Sequence, residues 1–159
     1  TLWRPATQRL LGYLQAFHAA GVTPDPQLIV RCDYNSSSAA TAVGRLIDSG
    51  AIFGAMFCTD AALTYGAYRE LVDRDVVVPD DISFVGFDDQ DWTTLVKPSV
   101  TVAEQPRYRI GSTCTNMLLA QIRGLSTDTT EIRMPATLIT RGSTAVAPGA
   151  LLSERPASF

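Results

Sequence analysis

Short apolar runs alternate with amphipathic stretches along almost the whole chain, and that alternation narrows the possible folds more than any other feature. The runs are Leu28–Cys32, Ala51–Cys58 and Ile82–Phe87, then a short extended piece at Val100–Val102 and a last run at Ala136–Thr140. Between them lie helical spacings. From Ala6 to Ala20 apolar residues fall at Leu10, Leu11, Leu14 and Phe17, stopping at Gly21 and the Pro24-Asp25-Pro26 turn. A second helix is expected from the serines 36–38 to Gly50 through Val43, Leu46 and Ile47, a third over Ala61–Asp73 and a fourth over about Arg107–Arg123. Strand alternating with helix predicts an α/β fold, a doubly wound and mostly parallel sheet with helices on both faces. Such a domain normally opens on a strand, yet here a helix comes first, so the chain is expected to be truncated at its amino terminus.

Composition excludes several classes. With 159 residues, 46% hydrophobic and 18% charged, the chain has the makeup of one soluble globular domain with a real core. Formal net charge is -3 and Lys97 is the sole lysine, so no basic stripe exists to neutralise a phosphate backbone. No apolar run approaches the ~18 residues of a membrane span, and Thr1–Pro5 lacks the regions of a signal peptide. A cytoplasmic location without membrane contact is the expectation. Cys32, Cys58 and Cys114 are odd in number and far apart, with no CxxC or histidine pair, which fits buried reduced thiols rather than a metal site. No cofactor is implied. The tail Ala147–Phe159 reads as a loosely ordered arm.

Three runs end in polar residues: Asp33 and Tyr34, Thr59 and Asp60, Asp88 and Asp89. In a parallel sheet these ends share one edge, where ligands of open α/β folds bind. Acceptors and an aromatic ring converging there suit a polyhydroxylated ligand, carboxylates taking hydroxyl hydrogens and the ring covering an apolar sugar face. Spacing alone leaves a plainer alternative equally open, with Asp60 capping the next helix and Asp88 closing a turn. Catalysis has less support. Adjacent Asp88 and Asp89 tend to point apart, the sole histidine His18 lies late in a helix, Ser36–Ser38 lack nucleophile-elbow glycines, and no phosphate-binding glycine loop occurs.

The segment Val78-Pro79-Asp80-Asp81-Ile82-Ser83-Phe84-Val85-Gly86-Phe87-Asp88-Asp89 closely resembles the core signature of the LacI/GalR family of bacterial transcription regulators. Pro98-Ser99-Val100-Thr101-Val102, Gln105-Pro106 and Gly111 follow at similar spacing. Arg9-Leu10-Leu11-Gly12-Tyr13 looks like the family's R-x-x-G-aromatic helix opening, and Arg141-Gly142-Ser143-Thr144 is similar to its closing R-x-S-T. The resemblance implies a two-lobed effector domain like type I periplasmic binding proteins, here a partial domain over residues 1–146. Residues 1–100 and 136–146 would form the carboxyl-terminal lobe, 101–130 a crossover and helix of an otherwise absent amino-terminal lobe, and 147–159 a tail. It also implies a cytoplasmic regulator that binds a small-molecule effector of the sugar class and touches DNA only through a headpiece outside this chain.

By the same resemblance the effector contacts are Arg9, Tyr34, Asp60, Asp88 and Arg107. Asp60 departs from the asparagine of many members, Ala61 from their usual aspartate, and Arg107 stands where some place an aromatic contact. An ionised aspartate only accepts, so Asp60 favours ligands rich in donors. A homodimer is implied, formed through the helix at Ala61–Asp73 and the loop near Trp92, with Leu63, Tyr65, Trp92, Leu95 and Val96 at the interface. Two other classes remain: a periplasmic-type sugar-binding protein of a transporter, and a small α/β hydrolase using Asp88.

Overall fold

The computed structural model describes residues 4–125 and 131–146. Its helices are α1 (Arg4–Ala19), α2 (Ser36–Asp48), α3 (Ala61–Asp73), a one-turn α4 (Trp92–Leu95) and α5 (Arg107–Ile122). Its strands are β1 (Ala55–Phe57), β2 (Ser83–Phe87), β3 (Thr101–Glu104) and β4 (Thr137–Ile139), paired in sequence order. β1, β2 and β3 run parallel, and β4 returns antiparallel to β3 with Val102 opposite Ile139. The sheet is therefore parallel-dominated, as the alternation predicts.

The core forms where α3 lies on β2 and β3. Thr64, Ala67, Tyr68 and Leu71 recur at helical spacing and are buried, while Phe84 and Val102 on the sheet, and Val100 just before β3, are wholly inaccessible. Tyr68 meets Phe84 edge-on at 5.3 Å between ring centres and Trp92 at 5.4 Å. α2 packs on α3, burying Ala39, Val43 and Gly44. Their approach requires Gly66, because a Cβ there would sit 2.1 Å from the Ser36 carbonyl oxygen. Across the same pair Arg74, at the end of α3, reaches Asp48 of α2 at 2.6 Å, and it also bonds Glu70 of its own helix at 2.6 Å.

The starts of α2 and α3 are set by side-chain acceptors. Asn35 Oδ1 accepts from the Ser38 amide at 2.8 Å, satisfying a donor with no partner inside α2. Asn35→Ala removes this acceptor and is expected to lower stability by about 1 kcal/mol, read as a shifted urea midpoint with unchanged slope.

Several expectations are corrected. Leu28–Cys32 is not a strand: Pro26–Leu28 forms a single 3-10 turn, and the residues after it pair with no strand among the described residues. An apolar run becomes a strand only when a neighbour takes its backbone hydrogen bonds, and β1 ends the sheet as an edge without reaching it. Ala51–Cys58 is expected as an apolar strand, but pairing covers only Ala55–Phe57, and Ile52 is 95% exposed. Ile82–Phe87, whose apolar run reads as a strand buried on both faces, forms β2, which buries Phe84, Gly86 and Phe87 but leaves Ser83 and Val85 partly open, so it is not enclosed on both faces. Of the cysteines only Cys58 is buried, Cys32 being half-buried and Cys114 exposed. Burial pushes the Cys58 thiol up to about 12, so it stays protonated and inert.

α5 buries none of its residues; Ile110, Leu118 and Ile122 all face outward. The expected tail at 147–159, and residues 126–130 of the expected crossover-and-helix segment 101–130, lie outside the described residues.

Candidate functional site

The carboxyl ends of β1 and β2 bring together residues that are far apart in the chain. β1 runs on through Cys58, whose amide bonds Val85 O at 2.9 Å, and delivers Thr59 and Asp60 beside the end of β2. β2 delivers Phe87, Asp88 and Asp89. Thr64 joins the two ends: its hydroxyl donates to Asp60 O at 2.7 Å and accepts from the Phe87 amide at 2.9 Å. Gly86 allows this, since a Cβ there would meet Thr64 Cγ2 at 2.4 Å.

Arg9 of α1 arrives at this junction. Its Nη1 donates to Thr59 O at 2.5 Å, and the guanidinium lies over the Phe87 ring, 3.8 Å from the centroid. A planar cation stacked on an aromatic face and anchored at one nitrogen keeps its other donors in a set plane, ready for a bidentate acceptor. The side chain is thus held in place by the chain's own contacts.

Asp88 sits at φ 63°, the left-handed region that non-glycine residues seldom occupy and that recurs at ligand sites. Its amide bonds Ala103 O at 2.9 Å, continuing the β2–β3 ladder by one residue. Its Oδ1 accepts from Gln105 Nε2 at 2.9 Å. The left-handed turn sends the next side chain elsewhere. Asp89 pairs with Arg141, whose Nη2 lies 2.5 Å from Oδ2 and Nη1 2.8 Å from Oδ1, while Thr93 donates to Oδ1 at 2.6 Å. The Arg141 bonds, then the Thr93 bond, hold the Asp89 carboxyl below the usual carboxylate range. The adjacent acids therefore have separate jobs, Asp88 at the edge and Asp89 in the framework.

The remaining candidates divide. Asp60 caps α3, its Oδ1 accepting from the Ala62 amide at 2.9 Å, so the capping alternative holds for that oxygen. Arg107 donates to Asp89 O at 3.0 Å and approaches Glu104 at 3.4 Å, which brings it to the same strand end. Tyr34 is 42% exposed just before the first turn of α2. Of the candidate interface residues, Leu63, Trp92 and Val96 pack on the chain's own core. Tyr65 and Leu95 point outward, at 45% and 76% exposure.

Gln105 and Phe87 join the site through contacts that the sequence does not mark. Both act through partners distant in sequence or perpendicular to the strand, and no local spacing marks such contacts. The closing motif also gains a physical role. Ser143 is fully buried, accepts from the Thr101 amide at 2.7 Å and donates to Phe84 O at 2.6 Å, stitching β2 to β3.

The family model for periplasmic binding protein-like domains matches residues 3–144. The chain belongs to this family, on its LacI-type branch. The HTH-type transcriptional repressor CytR of Escherichia coli is 36% identical over 140 residues, which cover 88% of this chain and 41% of the repressor. A LacI-type transcription regulator from Bifidobacterium animalis subsp. lactis superposes with a TM-score of 0.80 at 28% identity, over 87% of this chain and 50% of that one. The transcriptional regulator CelR in complex with cellobiose gives a TM-score of 0.80 at 28% identity, over 86% of this chain and 42% of that one. This chain thus spans about half the length, or less, of these three relatives. Those relatives are transcription regulators. No helix among the described residues is long and apolar enough to cross a membrane.

Proposed function

We propose that this chain is the effector-binding and dimerising portion of a LacI/GalR-like DNA-binding transcription regulator, and that its effector is a sugar or sugar derivative. The observation that carries the reading is the placement of Arg9 and Asp88 at one strand-end edge. A guanidinium fork stacked on Phe87 and a carboxylate held at a left-handed turn present donors and an acceptor to hydroxyl groups. Asp60 and Arg107 border the same edge, and Tyr34 supplies a ring for an apolar sugar face. The cellobiose bound by CelR, a structural neighbour, supports that ligand class.

The remainder of the reading concerns the whole regulator. DNA contact falls to a separate headpiece, because a chain with net charge -3 and one lysine offers no phosphate-binding stripe. The outward apolar residues of α5 fit a helix that belongs to a second lobe, the effector being enclosed between the two. Tyr65 and Leu95 would meet a second copy. Effector binding would change lobe closure and so the spacing of two headpieces, coupling operator and effector affinity in a cytoplasmic protein. The transporter reading is not favoured by the repressors among its relatives. Hydrolysis through an Asp88–Asp89 pair is disfavoured by the Arg141 bonds that hold Asp89.

Thermal-shift titration of the intact protein against sugars, sugar phosphates and polyols, cellobiose included, is expected to find a stabilising ligand. Arg9→Ala and Asp88→Ala are each expected to abolish that shift while leaving the unliganded melting temperature within a few degrees. A shift that persists in both variants would put the site elsewhere.

A further inference from the structure

Two hydrogen bonds tie one short crossover to the acid at the strand end. Gln105 follows the last residue of β3, and Arg107 opens α5. Gln105 Nε2 donates to Asp88 Oδ1 at 2.9 Å, and two residues later Arg107 Nη2 donates to Asp89 O at 3.0 Å. The crossover thus grips the Asp88-Asp89 dipeptide at a carboxylate and at a carbonyl. Asp88 sits between these grips in the left-handed region, with its amide bound to Ala103 of β3. Among the described residues its Oδ2 has no protein donor, whereas Oδ1 has Gln105.

We propose that Gln105 is a positioning residue of the effector site: it occupies Asp88 Oδ1, leaves Oδ2 as the oxygen offered to a ligand hydroxyl, and makes the orientation of Asp88 follow the crossover. The inference rests on the effector-binding reading above and adds a residue which that reading does not use. An amide side chain suits the task. It donates to a carboxylate without adding charge beside Arg9, Asp60, Glu104 and Arg107. A carboxylate free to rotate would present either oxygen and lose orientation entropy on binding, while one fixed by a charge-assisted bond is already set. A displaced crossover would carry Gln105 with it and turn Asp88 away, so the strand-end acid reports the geometry of the connection between β3 and α5.

The test uses the intact protein and the ligand with the largest thermal shift from a panel of cellobiose, other sugars, sugar phosphates and polyols. Calorimetric affinities are compared for the parent, Gln105→Ala and Gln105→Glu. The expected result is affinity about tenfold lower in Gln105→Ala, the loss of one hydrogen bond to a charged group, with a nearly unchanged melting temperature. Gln105→Glu is the sharper variant, because it keeps the shape and replaces the donor by a second carboxylate. Its affinity is expected to fall further at about pH 8 and to recover toward the parent's at about pH 5, where a proton shared between the carboxyls restores a donor. A purely structural role would lower the melting temperature without that pH profile. Parent-like affinity in Gln105→Ala, or a flat ratio of Gln105→Glu to parent across pH, would overturn the positioning role and leave the effector reading standing. If no panel member binds the parent, the effector reading falls and this inference falls with it.

Discussion

Gly66→Ala is expected to lower the unfolding free energy by about 3 kcal/mol, because the added methyl would meet backbone that cannot move aside. The Cβ would stand 2.1 Å from Ser36 O and 2.7 Å from Ser36 C and Cα, all in the first turn of α2. At Gly44 the opposing atoms are the ends of Glu70 and Arg74, which can swing away, so Gly44→Ala should cost much less. The only relief at Gly66 is separation of α2 from α3. That would open the contacts of Ala39, Val43 and Ala67 and shift the start of α2, next to Tyr34. Urea unfolding followed by circular dichroism measures both variants. A Gly66→Ala midpoint equal to that of the parent would show that the helices can part without loss.

The second large effect is expected at Arg141. Its guanidinium bonds both oxygens of Asp89 and, at 3.0 Å each, Thr93 Oγ1 and Val100 O. Arg141→Ala leaves Asp89 without its cation in a site where the two side chains are 17% and 23% exposed. Removing one partner of a largely enclosed pair costs about 3 kcal/mol, the low end for buried pairs because some solvent remains. The pH dependence has a definite sign. Asp89 is held below the usual carboxylate range when folded, so its contribution is present above the unfolded value near ~3.9 and is lost as pH falls through the folded value. The parent should therefore lose stability on acidification below about pH 4, and Arg141→Ala should lose less over that window. Equal acid slopes in the two proteins would assign the pair no net stabilisation.

These two sites mark where sequence reasoning succeeds and stops. Helix α3 was legible from Ala61 to Asp73 because its apolar residues recur at the period of the element itself, and β2 because its apolar run is bounded by turn residues. Leu28–Cys32 has similar local character yet remains unpaired, since strand formation depends on a neighbour that local composition does not reveal. Likewise Asp60 matches both a helix cap and a ligand contact in sequence. The structure assigns one of its oxygens to the cap.

Adjacent acids make the division clearest. That Asp88 and Asp89 leave the end of an apolar strand follows from the chain alone, because an alternating strand–helix pattern must place polar residues at strand ends. Which acid is bound into the framework and which stays at the strand-end edge did not follow from spacing. The left-handed turn at Asp88, the donor from Gln105 and the fork of Arg141 decide it, across separations of 17 residues and 52 residues. The sequence by itself determined the α/β class and the edge at which the polar strand ends collect, through short-range periodicity and turn residues. Only the tertiary structure decided which side chains meet there. Direction and partnership come from contacts between elements, and no local pattern encodes those.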